Sequence, residues 1–171
     1  MIKKIITADT SETYLNEQVG ECYHSLKGAA EEAMQKYAIP CKIKELAKTG
    51  SMRILDVCFG LGYNSAMAIS VALEENPHCK IEVIGLEYDA EIISLIQEVN
   101  PPIAFYQFYK SLTPQQLEFA QGNVIVKILF GLAKISLSSL MSACTALNSS
   151  SIFLRSRPAS FWSFMSRIAS A

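Results

Sequence analysis

Met52-Arg-Ile-Leu-Asp-Val-Cys-Phe-Gly-Leu-Gly-Tyr-Asn-Ser65 decides the fold of this 171-residue chain. Ile54-Leu55 and Val57-Cys58 make a short apolar run broken only by Asp56. It has no helical period and the length of a buried strand. Gly60 and Gly62 follow, two residues apart, and Asn64–Glu75 then reads as a helix that Asn76-Pro77 stops. A strand, a glycine turn and a helix in that order form a nucleotide-binding βα unit. The glycines remove Cβ atoms, so backbone and ligand can approach closely. The helix N-terminus offers free N–H groups and a partial positive charge.

A second strand, Lys80–Leu86, ends at Glu87. An acidic residue at that tip is placed to hold a ribose by its hydroxyls, because a carboxylate only accepts hydrogen bonds. The glycine spacing alone fits a plain strand-to-helix turn. Glu87 in register with it is what points to a nucleoside. A dinucleotide fingerprint requires a third glycine after two further residues, and Ser65 stands there. An NAD-linked oxidoreductase is therefore the weaker reading.

Working outward, half the residues are apolar, 18% are charged and the net charge is −1. That suits one globular domain with a real core and lacks the basic excess usual in nucleic-acid binders. A local basic stretch exists: Lys36, Lys42, Lys44, Lys48 and Arg53 against Glu45. It reads either as phosphate contacts or as a solvated face, with the second favoured. The five cysteines are scattered and form no Cys-x-x-Cys, which argues against a metal site. No secretory leader is legible, so reduced thiols and a cytoplasmic location are expected. Val124–Leu154 is too often interrupted by Lys, Asn and Ser for a membrane span.

In chain order, Lys3–Ala8 and Thr13–Leu15 read as a β-hairpin. Ser25 reads as the N-cap of a helix over Ala29–Tyr37, and Lys42–Lys48 as a second helix. Tyr23 and His24, beside Glu21, read as ligand contacts or, more simply, as capping and packing residues. Asp89 caps a helix over Glu91–Val99, Ile103–Tyr109 is aromatic core, and Thr113-Pro-Gln-Gln starts a short helix. Val124–Phe130 is a third strand. The alternation implies a parallel sheet with right-handed crossovers. Every acidic residue lies at or before Glu118. The Ser- and Leu-rich tail offers no clear strand; Leu137–Leu147 and Ser160–Ala169 read as helices. Such an abrupt change is what a shifted reading frame produces. The expected organisation is an N-terminal extension over 1–50, a nucleoside-binding half over 51–131 and an atypical tail over 132–171.

Asp56 followed by a glycine-rich turn resembles S-adenosylmethionine-dependent methyltransferases, whose cofactor has no pyrophosphate. The usual first glycine is Cys58 here. Three segments narrow the resemblance: Thr7-Ala-Asp-Thr-Ser-Glu-Thr13, Glu21-Cys-Tyr-His-Ser-Leu-Lys-Gly-Ala29 with Glu32, and Asp56-Val-Cys-Phe-Gly-Leu-Gly-Tyr-Asn64. Together they resemble the family that methylates the aminomethyl group on the wobble uridine of tRNA, in its stand-alone form without an FAD oxidase domain. The resemblance covers about residues 1–131. It implies an α/β, Rossmann-like methyltransferase fold: an incomplete parallel sheet flanked by helices, with an N-terminal β-hairpin and helical extension. It implies that Asp56 and the stretch Phe59, Gly60, Gly62, Asn64 surround the methionine part of S-adenosylmethionine, and that Glu87 holds its ribose. Tyr23, His24 and Ser25 fall at the mouth. tRNA is the implied partner, with no metal and no membrane. Two departures stand out. Leu132 replaces the family's acidic residue after Gly131, and only Arg157-Pro158 and Phe161-Trp162 stand where an Asp-containing active-site loop belongs. No catalytic residue is assigned, and a truncated, non-catalytic homologue is the alternative to an active enzyme.

Overall fold

The structure, a computed structural model, describes residues 2–17, 20–87, 89–130 and the backbone of 151–155. Its centre is a five-stranded sheet in the order β6-β7-β5-β4-β8. The strands are β4 (Ser51–Val57), β5 (Lys80–Glu87), β6 (Glu118–Gln121), β7 (Val124–Phe130) and β8 (Ser151–Arg155). β4 pairs in parallel with β5 and β8, and β5 with β7; β6 is an antiparallel edge. β4 and β5 are buried along most of their length, as expected of parallel strands covered by helices. β7 alternates: Val124, Val126 and Ile128 are buried, while Ile125 and Leu129 are exposed.

The helix after the glycine turn, α3 (Tyr63–Glu75), is the main cover of the sheet. Ala66, Ala68 and Ala72 are completely buried and let the backbone pack closely. Asn76 ends the helix in an extended conformation, and its side-chain amide donates to the Ala47 carbonyl at 2.9 Å. Asp89 caps α4 (Ala90–Ser94), accepting the Glu91 N–H at 2.9 Å, and a 3-10 turn continues through Glu98. The aromatic stretch contains α5 (Tyr106–Tyr109), and Phe105, Tyr106 and Tyr109 are core.

The N-terminal extension is a three-stranded antiparallel sheet, β1 (Ile2–Ile6), β2 (Glu12–Asn16) and β3 (Glu21–Cys22). It is followed by α1 (Ala29–Ala33), which continues as a π-helical turn Met34–Ala38, and by α2 (Ile43–Ala47). These pieces share one buried cluster with α3 and the central sheet.

Four expectations need correction. Ser25 does not cap α1. The helix begins after Gly28, and its free N–H groups are met from the hairpin turn, by Ser11 Oγ for Ala29 and Ala30 and by Asp9 Oδ2 for Glu31. Thr113 and Gln116 form a tight turn with reciprocal backbone hydrogen bonds, not a helix start. β6 was not expected; it folds back on β7 through Gly122, whose φ of 58° suits a hairpin turn. The tail does contain a strand. Ser151–Arg155 adds to the free edge of β4, with Asp56 in register with Leu154. Its run Ile152-Phe153-Leu154 has the apolar character of a buried parallel strand, a signal hidden by the surrounding serines. The helices expected over Leu137–Leu147 and Ser160–Ala169, and the Gly131-Leu132 departure, lie outside the described residues.

Candidate functional site

β4 sits between β5 and β8, and the chain leaves it toward β5 and returns, after β7, to its other side. In open α/β sheets the crevice at such a reversal, beyond the strand carboxyl ends, is where ligands bind. The glycine loop lies there. Cys58, Gly60 and Gly62 have φ of 57°, 58° and 75°. Only glycine adopts that region without a penalty. The Phe59 N–H donates to the Leu86 carbonyl at 3.0 Å, and the Gly62 N–H closes the turn on the Phe59 carbonyl at 2.8 Å.

The two glycines serve different ends. A Cβ at Gly62 would fall 2.6 Å from the Phe59 ring and 2.7 Å from the Tyr109 ring. A Cβ at Gly60 would meet nothing closer than the Tyr23 ring at 3.6 Å. Gly62 is required by packing, whereas a Cβ at Gly60 would make only ordinary contacts with the Tyr23 ring and the Cys58 carbonyl. Phe59 is itself buried, wedged against Gly62 and Gly85 and stacked on Tyr109 at 5.8 Å.

Glu87 is tied into the loop. Its Oε2 accepts the Gly60 N–H at 2.6 Å and its Oε1 accepts the Asp89 N–H at 2.9 Å. Tyr23 extends the network, donating its hydroxyl to Asp89 Oδ2 at 3.2 Å. Burial, with the negative charge of Asp89 next, holds the Tyr23 phenol well above its ordinary range, so it remains a donor.

Asp56 and Asn64 flank the loop on β4 and α3. Both are buried, and Asp56 Oδ1 and Oδ2 and Asn64 Oδ1 have no hydrogen-bond partner of normal geometry. Three buried acceptors without donors are costly. Burial pushes the Asp56 carboxyl up to about 7; the nearby Ser65 hydroxyl and N–H oppose the shift, and the charge of Glu87 adds to it. A group entering this site lowers its energy by bringing donors or positive charge. A phosphate would bring neither.

Of the residues expected at the mouth, Tyr23 lies over Gly60. His24 does not line open space. It is buried, stacked on Tyr63 at 4.6 Å, with Nδ1 3.2 Å from Thr13 Oγ1. The Ser25 N–H donates to buried Glu32 at 2.7 Å, so Ser25 shapes the segment through its backbone. Three participants escaped the sequence reading: Asp89 beyond its capping role, and Ser65 and Tyr109, which meet at 3.0 Å with the tyrosine donating. Ser65 was noted only as a missing glycine. Tyr109 is 44 positions away and nothing local marks it.

The basic stretch is largely neutralised: Lys36 pairs with Glu32, Lys48 with Glu75 and Arg53 with Glu82, leaving Lys42 and Lys44 exposed on and before α2. A cavity of 510 Å³ lies at the opposite ends of β4, β5 and β7, lined by Arg53, Lys80, Glu82 and Asn123 among others. It has mixed charge and lies far from the strand carboxyl ends, so the glycine loop is the better site. Among the described residues no group of His, Cys, Asp or Glu could hold a metal, and no helix is long and apolar enough to cross a membrane.

No family model matches the chain. The crystal structure of MnmC2 from Aquifex aeolicus is similar, with a TM-score of 0.66 and 34% identity, over 77% of this chain and 42% of that one. An uncharacterised protein of Methanocaldococcus jannaschii is 32% identical over 93 residues, 54% of this chain and 24% of that protein. The chain thus spans less than half the length of either. With the parallel sheet and its flanking helices, the likeness to MnmC2 makes the fold Rossmann-like, of the methyltransferase kind.

Proposed function

We propose that the glycine loop binds S-adenosylmethionine and that the chain descends from the tRNA wobble-uridine methyltransferases it resembles. The observation that carries this is the set of three unpartnered buried acceptors on Asp56 and Asn64. They suit the ammonium and sulfonium charges of that cofactor and would repel the pyrophosphate of NAD. Glu87 at the tip of β5 supports the reading, since a carboxylate there can accept ribose hydroxyls. The similarity to MnmC2 supports the methyltransferase reading and, more generally, action on tRNA.

When bound, the cofactor supplies an electrophilic methyl group. Transfer to an amine requires a neutral nitrogen held in line with it, and positioning supplies much of the acceleration. A carboxylate beside the amine would orient it and take its proton. No residue among those described is assigned that role, and the Asp-containing loop of the family is missing from the sequence. Methylation of tRNA bearing the aminomethyl precursor, followed with radiolabelled cofactor, tests the reading. Transfer supports an active enzyme. Cofactor binding without transfer supports the truncated, non-catalytic homologue. Absence of binding overturns both.

A further inference from the structure

The segment Tyr23-His24-Ser25 is fixed along its length. The Tyr23 N–H donates to the Tyr14 carbonyl at 2.9 Å, the His24 ring stacks on Tyr63 at 4.6 Å, and the Ser25 N–H donates to buried Glu32 at 2.7 Å. Glu32 is itself held by Lys36 at 2.8 Å. From this frame the Tyr23 side chain reaches the glycine loop. Its ring packs partly buried against the core, 3.6 Å from where a Cβ at Gly60 would stand. Its hydroxyl donates to Asp89 Oδ2 at 3.2 Å.

Asp89 carries the connection onward. Its Oδ1 accepts the Glu91 N–H at 2.9 Å, so both carboxylate oxygens have partners and the side chain has one orientation. Its own N–H donates to Glu87 Oε1 at 2.9 Å, and Glu87 Oε2 accepts the Gly60 N–H at 2.6 Å. The circuit closes where the Tyr23 ring meets Gly60. It joins the N-terminal extension, the cap of α4, the tip of β5 and the glycine loop.

We propose that Tyr23 is a positioning residue for Glu87: acting through Asp89, it holds that carboxylate on the glycine loop in the orientation an entering ligand meets. The proposal deepens the cofactor reading and rests on it for the ligand. A group ordered beforehand spares the ligand the cost of ordering it. The Tyr23 phenol keeps the proton it donates, because burial and then the charge of Asp89 hold it well above its ordinary range. Tyr23→Phe keeps the ring against Gly60 and removes only the link to Asp89. The extension would thereby act on the ligand site without itself touching the ligand.

Amide hydrogen exchange, followed by NMR in the ligand-free protein, tests the positioning. In Tyr23→Phe the Gly60 amide should exchange about fivefold faster, as expected when one hydrogen bond of the circuit is lost, while the β4 amides keep wild-type rates. Asp89→Asn supplies a second variant: the amide oxygen can keep the α4 cap, but the Tyr23 hydroxyl loses its charged acceptor. The Gly60 amide should respond in the same direction. An unmoved Gly60 amide, or equal acceleration throughout β4, overturns the proposal; the second result would mean that Tyr23 supports the fold alone. Calorimetry with S-adenosylmethionine supplies the ligand arm. Affinity should fall about fivefold in Tyr23→Phe, and the same substitution should cost nothing more when Glu87 is already Gln. Fully additive losses contradict action through Glu87. A Gly60 amide that responds in a protein whose wild type does not bind S-adenosylmethionine would sustain the positioning of Glu87 and refute the cofactor.

Discussion

Glu87 Oε2 accepts the Gly60 N–H at 2.6 Å, tying the tip of β5 to the turn after β4. The carboxylate therefore has two tasks. It fixes the loop through the Gly60 and Asp89 N–H groups, and in the proposed complex it would also accept the ribose hydroxyls. Glu87→Ala removes both. We expect S-adenosylmethionine affinity to fall by about 1.5–3 kcal/mol. The 2′-deoxyadenosine analogue should bind the wild type more weakly than the cofactor itself. Equal affinity for the two would show that Glu87 holds the loop and not a ribose.

Gly60 and Gly62 both carry positive φ, so any side chain there adds backbone strain. Gly60→Val also sets a branched side chain against the Tyr23 ring and is expected to abolish cofactor binding. Gly62→Ala drives a methyl group into the Phe59 and Tyr109 rings and should lower stability by several kcal/mol, roughly the cost of forced overpacking plus strain. Urea unfolding and cofactor titration of both variants check the pair. A Gly62→Ala protein as stable as the wild type, or a Gly60→Val protein that folds and binds the cofactor normally, would contradict this expectation.

The strands β4, β5 and β7 and the helix α3 were legible because each carries its own period and its own stop signals: apolar runs in the strands, Asn76-Pro77 after the helix. The position of Glu87 at the end of β5 was legible by its distance from the glycines. The capping of α1 was not, because its acceptors come from Asp9 and Ser11, about 20 residues upstream. β8 was not, because its pairing to β4 spans about a hundred residues and its apolar core is three residues long. Tyr109 was read as core, correctly, but a tyrosine hydroxyl that reaches a serine under the loop leaves no mark in the sequence.

Cys58 occupies the left-handed region at φ 57°, in the place where the resembled pattern has glycine. The non-glycine penalty there is about 1–2 kcal/mol, and glycine costs about 0.5–1 kcal/mol through its freer unfolded chain. Cys58→Gly should therefore be nearly neutral in stability and keep the site. Cys58→Val, branched at Cβ, should cost more than 1 kcal/mol. Thermal denaturation ranks the three proteins, and a Cys58→Val protein as stable as the wild type would contradict the strain.

Stability against pH should show two opposed limbs. Burial works against ionisation of Asp9, but hydrogen bonds from the Ser11 and Thr7 hydroxyls and from the Glu31 and Ser11 N–H groups outweigh it and hold its carboxyl well below the ordinary range. A depressed folded value gives stability that is present above about pH 4 and lost as pH falls below it. Asp56 has the reverse sign: its folded value of about 7 lies above the unfolded one. Between about pH 4 and 7 the unfolded chain ionises first, and stability falls as pH rises. Urea midpoints from pH 3 to 8 should lose the acid limb in Asp9→Asn and the neutral limb in Asp56→Asn. An unchanged profile in either variant would show that its carboxyl titrates alike in both states.

The most direct test is calorimetric titration of the wild type and Asp56→Asn with S-adenosylmethionine and with NAD. The wild type should bind S-adenosylmethionine and not NAD, and Asp56→Asn should bind the cofactor at least tenfold more weakly, because the cation loses its buried counter-charge. NAD binding as tight as that of S-adenosylmethionine, or an Asp56→Asn affinity equal to the wild type, would contradict a cation-receiving glycine loop.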